Sequence, residues 1–104
     1  MKNENPLEKL IERKVCDHAK ALGCYVRKFT SPSHASVPDR MLLTPNGVLF
    51  FIEFKRLGKE PTAAQAIEIQ KIRSKNVRVF VVDEVQNGKN VVDGMVAILK
   101  EPLF

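Results

Sequence analysis

Pro38-Asp39-Arg40-Met41-Leu42-Leu43-Thr44-Pro45-Asn46-Gly47-Val48-Leu49-Phe50-Phe51-Ile52-Glu53-Phe54-Lys55 is two strand-like runs around a turn tripeptide. The runs predict strands over 37–44 and 48–56, joined as a hairpin through Pro45-Asn46-Gly47. A three-residue loop with Gly47 left-handed pairs Thr44 with Val48, Leu42 with Phe50 and Arg40 with Ile52, so Asp39 falls opposite Glu53. Val48 to Ile52 is apolar at consecutive positions, which predicts a central strand covered on both faces.

Side chains alternate along a strand, so Glu53 and Lys55 share a face, roughly 7 Å apart by the rise per residue. Directly opposed residues of a hairpin also share a face, with Cβ atoms about 5 Å apart, which brings Asp39 to the same place. Two carboxylates facing each other repel, whereas a bound divalent cation turns that repulsion into an oxygen-ligand site. An acid followed at a variable distance by E-x-K arises by chance about once in a chain of this length. The context separates it from an edge salt bridge: Pro38 before Asp39, a turn in the matching register, and charges ending an otherwise apolar strand, where unpaired they are costly.

Upstream, Leu7, Leu10, Ile11, Val15, Ala19 and Leu22 recur at helical spacing and Gly23 stops the run, predicting an amphipathic helix over 7–22. A short strand over 24–29 and a loop over 30–36 come next. Downstream, after a polar link over 57–61, Thr62 is an N-cap for a helix to about residue 75, packing Ala63, Ala66, Ile67, Ile69 and Ile72. Residues 77–83 predict a buried strand parallel to a neighbour, because a helix precedes it. Asn87-Gly88 is a turn signal, and 91–99 closes the chain as a short helix or a strand. The order α-β-β-β-α-β-α predicts an α/β fold, a mixed central sheet with flanking helices, as one domain over 1–104.

With 17 Lys and Arg against 12 Asp and Glu, the net charge of +5 favours polyanions. Cys16 and Cys24 form no CxxC and are expected as reduced structural thiols. His18 and His34 are too far apart, and too poorly matched to the cysteines, for zinc. No apolar run is long enough to span a bilayer and the N-terminus lacks the grammar of a signal peptide, so a cytoplasmic protein with no membrane partner is expected.

An ordered set of residues resembles the VRR-NUC nucleases of the PD-(D/E)xK superfamily, whose stand-alone phage and bacterial members are similar to Holliday junction resolvases. The set is Ile11-Glu12, Lys20-Ala21-Leu22-Gly23, Lys28-Phe29, Ser31-Pro32, Val37-Pro38-Asp39-Arg40, Glu53-Phe54-Lys55 and Gln65. Ser36 stands where that family usually has glycine. The resemblance implies a restriction-endonuclease-like fold and a metal-dependent DNA endonuclease in a bacterial or phage-infected cell. It makes Asp39, Glu53, Glu12 and the Phe54 carbonyl ligands of Mg²⁺ or Mn²⁺, Lys55 the catalytic lysine and Gln65 a further site residue. Lys28, Arg40, Arg56 and Lys59 are candidate phosphate contacts, although any could be plain solubilising charge. It also implies a homodimer acting on branched DNA. Val91, Val92, Met95, Val96, Leu103 and Phe104 are the candidate dimer face, with core packing their main expectation. The alternatives are a nucleic-acid-binding module of the same fold without catalysis and a basic structural protein.

Overall fold

The computed structural model describes residues 6–99 as α1 (Pro6–Ala21), β1 (Tyr25–Lys28), β2 (Arg40–Leu43), β3 (Leu49–Phe54), α2 (Ala63–Arg73), β4 (Arg78–Val82) and α3 (Val85–Val96). The element order is the expected one. Gly47 takes φ of 81°, its N–H donates to the Thr44 carbonyl at 2.8 Å, and the Thr44 N–H donates to the Val48 carbonyl at 3.0 Å. The Thr44 hydroxyl accepts the Val48 N–H at 3.0 Å, closing the turn from the other side. These bonds fix the predicted register: Leu42 pairs with Phe50 and Arg40 with Ile52.

The sheet runs β1-β2-β3-β4, antiparallel except for the parallel β3–β4 pair. β3 is interior, and Phe50 to Phe54 are all buried. Its alternation divides the core in two. Phe50, Ile52 and Phe54 join Leu42 and Val82 against Ile11, Val15, Cys16 and Ala19 of α1 and Val92 and Met95 of α3. On the other face Phe51 packs with Val79 and with Ile69 of α2, with Met41, Leu49 and Ile72 around them. Helices thus cover both faces, α1 and α3 on one side and α2 on the other.

One carbonyl on each edge strand is covered by an arginine. Arg27 donates to the Val26 carbonyl at 2.9 Å on β1, and Arg73 donates to the Val79 carbonyl at 2.6 Å on β4. Such caps discourage edge-to-edge pairing with another chain.

Boundaries differ from the sequence reading at several points. The strand expected over 37–44 begins only at Arg40, because Pro38 has no N–H for the ladder. The helix expected to about 75 ends at Arg73, and Asn76 then takes φ of 63°, the left-handed conformation that asparagine tolerates. Ser36 needs no glycine-like backbone, since Asn76 alone among the described non-glycine residues has positive φ.

The tail departs most. Asn87-Gly88 makes no turn but lies inside α3. A Cβ on Gly88 would overlap Val15 Cγ2 and lie 2.8 Å from Val82 Cγ1, so the glycine lets α3 approach α1 and β4. Val92 and Met95 are buried in the core rather than offered to a partner, and Val91 and Val96 pack against it. Leu103 and Phe104 lie outside the described residues. Among the described residues, no helix is long and apolar enough to cross a membrane.

Cys16 and Cys24 are both buried and unbridged, as expected. Burial pushes the Cys16 thiol up from its ordinary 9.0 to about 11, with Arg40 pulling the other way, and burial also raises Cys24. The folded Cys16 value exceeds the unfolded one, so the neutral thiol contributes stability that is present below about pH 9 and lost as pH rises through about 11. Thiolate ultraviolet absorbance measured during a pH titration should therefore appear near pH 11 for Cys16 in the native protein, against 9 after denaturation. Coincident native and denatured titrations would contradict this.

Candidate active site

The β2–β3 ladder ends at Arg40 and Ile52, and beyond that pair the missing Pro38 amide decides how the two strands are held. Asp39 opposite Glu53 comes next, and the next hydrogen-bonded pair would be residues 38 and 54, where a strand residue would exchange two hydrogen bonds with Phe54. Pro38 has no hydrogen to give the Phe54 carbonyl. The Phe54 N–H goes instead to the Asp39 carboxylate, which accepts it through Oδ2 at 2.8 Å. Asp39 is held from behind as well, since its own carbonyl accepts the Phe29 N–H at 3.0 Å. The carboxylate therefore sits against the Glu53–Phe54 peptide, where the hairpin register predicts it.

Glu53 is the most buried charged group described, 1% exposed at the end of an apolar strand. Its Oε2 accepts a hydrogen bond from Gln65 Nε2 at 2.8 Å and lies 3.5 Å from the Lys55 ammonium. A buried carboxylate is tolerable only with such partners. Lys55 projects from the same face as Glu53, and its backbone N–H donates to the Val82 carbonyl at 2.9 Å, tying this end of β3 to β4.

Gln65 reaches Glu53 because of its place in α2. It is the third residue of a capping box. Its N–H donates to the Thr62 hydroxyl at 3.2 Å, and its side-chain oxygen accepts the Thr62 N–H at 2.9 Å. The carboxamide oxygen is thereby committed to the helix start and its NH₂ is turned towards Glu53. The signal T-x-x-Q was present in the sequence, but periodicity alone does not say that the second half of the same amide serves Glu53.

Asp39, Glu53, Lys55 and Gln65 thus meet at one end of the sheet, on the face covered by α2. Glu12 and Arg40 pair with each other. Arg40 goes with Leu42 onto the α1 face, where its Nε donates to Glu12 Oε2 at 2.7 Å. For Glu12 to join Asp39 and Glu53, its carboxylate must leave Arg40. Lys28 pairs with Arg40 in the sheet and is exposed at this end, as are Arg56 and Lys59 beyond Lys55.

Among the described residues no group of three or more His, Cys, Asp and Glu is arranged to hold a metal. The donors at the site are the Asp39 and Glu53 carboxylates and the Phe54 carbonyl, all hard oxygens. That set fits Mg²⁺ or Mn²⁺, since Mg²⁺ in particular is commonly bound by one or two carboxylates with water and substrate phosphate completing the shell. It does not fit zinc, for which sulfur and imidazole are missing.

An αβββαβα arrangement with an acid at the start of one strand and E-x-K ending the next defines a restriction-endonuclease-like nuclease fold. Over 76 residues the chain is 34% identical to "Putative nuclease p44" of Acyrthosiphon pisum secondary endosymbiont phage 1, an alignment covering 73% of this chain and 82% of that protein. A solved structure described as "VRR_NUC domain" superposes with a TM-score of 0.79 at 26% identity, covering 86% of this chain and 97% of that one. No family model matches the chain. The chain belongs to the VRR-NUC nuclease family.

Proposed function

We propose that the protein is a divalent-metal-dependent DNA endonuclease whose centre is formed by Asp39, Glu53 and Lys55. The observation that carries this reading is the buried Glu53 carboxylate, oriented by Gln65 and paired with Lys55 beside Asp39. A module that only binds a polyanion gains nothing from carboxylates on its phosphate-facing side. Asp39, Glu53 and the Phe54 carbonyl would hold Mg²⁺ or Mn²⁺. Such an ion, when bound, polarises a scissile phosphate and acidifies an attacking water. Lys55 is placed to offset the charge that develops on phosphate oxygens in the transition state. Gln65 fixes the Glu53 rotamer, and the net charge of +5 favours the polyanionic substrate over long range.

The finer reading is a homodimer cutting branched DNA. Resolving a four-way junction takes two symmetric cuts, and two-fold symmetry supplies the second centre. Val92 and Met95 are core residues, so a dimer face would be formed by other residues. The test is incubation of the purified protein with labelled linear, flap and four-way-junction DNA in Mg²⁺, Mn²⁺ or chelator, with light scattering in parallel. Cleavage in metal alone is the expected result. Cleavage that survives chelation, or none on any substrate, removes the proposal, while equal cutting of linear and branched DNA by a monomer removes only the junction reading.

Metal and carboxylates should be thermodynamically coupled. Mn²⁺ binds the folded site, so it should raise the melting temperature by mass action, and Asp39→Asn should blunt that rise. An equal Mn²⁺ shift in Asp39→Asn and the parent would rule out Asp39 as a ligand.

A further inference from the structure

Immediately after Lys55 the chain makes a tight turn, Arg56-Leu57-Gly58-Lys59, closed by the Lys59 N–H on the Arg56 carbonyl at 3.0 Å. Gly58 takes φ of 79°, the conformation that a type II turn requires at its third residue. Its N–H donates to the Asp83 carboxylate at 3.1 Å, pinning the turn to the end of β4. Leu57 stands at the tip, 69% exposed, between the exposed cations Arg56 and Lys59.

A single exposed leucine is ordinary. This one differs in position and in support. The two residues from Lys55 to Leu57 span at most about 7 Å, so the tip lies within one nucleotide or so of the phosphate that Lys55 faces. A closed turn with a carboxylate anchor holds the leucine out, where a loose loop would fold it back onto the surface. Cations on either side suit consecutive backbone phosphates, which leaves the apolar tip facing sugars and base faces between them.

We propose that Leu57 is a wedge that packs against an unstacked base next to the scissile phosphate, with Arg56 and Lys59 on the flanking phosphates and Asp83 as the positioning residue of the turn. Apolar side chains of this type enter base steps and part them. Unstacking is least costly where a base is already unpaired, so the wedge selects DNA with unpaired bases, such as a flap or branch, over intact duplex. This inference rests on the nuclease reading of the site.

The test uses flap DNA with 2-aminopurine beside the branch, bound to the full chain carrying Lys55→Ala so that the DNA stays whole. Binding should raise the 2-aminopurine fluorescence. Adding Leu57→Ala should abolish the rise, adding Asp83→Ala should reduce it, and adding Leu57→Met should keep it. In the otherwise native chain, Leu57→Ala should slow flap cleavage about ten-fold and leave cleavage of intact duplex little affected, so that the preference for flap over duplex is lost. An undiminished fluorescence rise with Leu57→Ala, or equal losses on flap and intact duplex, overturns the wedge. A parent that cuts flap DNA while its Lys55→Ala form gives no fluorescence rise overturns the wedge and leaves the nuclease reading standing. A parent that cuts no DNA removes both.

Discussion

Lys55→Ala is expected to lower the rate of DNA cleavage by about 10²- to 10³-fold, the loss typical of removing one preorganised group that stabilises transition-state charge. The Lys55 side chain is 14% exposed and its ammonium lies 3.5 Å from Glu53, so the change removes a charge from the site without opening the core. Circular dichroism should be unchanged and DNA binding retained, which places the loss in the chemical step. Glu53→Gln should be equally damaging, and is a cleaner probe than Glu53→Ala. Glu53 is 1% exposed, so alanine would leave a hole as well as strand Gln65 without its acceptor. The glutamine keeps the volume and an oxygen for Gln65, and removes only the charge. Either variant cutting within a few-fold of the parent would show that the centre lies elsewhere.

Gly88→Ala and Gly94→Ala should shift stability in opposite directions, although both replace a glycine inside α3. Alanine gains roughly 1 kcal/mol over glycine in a helix interior. At Gly94 a Cβ meets nothing within 4 Å, so that gain should appear in full. At Gly88 the new Cβ overlaps Val15 and comes within 2.8 Å of Val82, and both neighbours are β-branched, fully buried and stiff at χ1. Overpacking of this kind costs about 1 to 3 kcal/mol and outweighs the helix gain. At about 4 to 8 °C per kcal/mol for a domain of this size, Gly88→Ala should lower the melting temperature by several degrees while Gly94→Ala raises it. A stabilised Gly88→Ala would mean that α3 does not approach α1 and β4 as closely as described.

The same glycine shows where sequence reading stops. Asn87-Gly88 is a turn by local preference, and only the distance of α3 from Val15 and Val82 makes it a packing residue, which no local pattern encodes. The hairpin was legible because its register depends on one turn and one alternation, both local, and it carried Asp39 and Glu53 to neighbouring places. Thr62 was legible as a cap from its residue type. That Gln65 divides its amide between Thr62 and Glu53 was not, because it depends on where α2 sits over β3. Glu12 illustrates the opposite limit. A helix-borne acid can be predicted near the sheet, but the sheet face it meets decides its partner, and that partner is Arg40.

The most direct measurement is an anomalous difference map from crystals of Lys55→Ala grown with uncleaved DNA and Mn²⁺. The account predicts a Mn²⁺ peak at the Asp39 and Glu53 carboxylates. Mn²⁺ bound elsewhere, with DNA in place and these two carboxylates holding no metal, would contradict it.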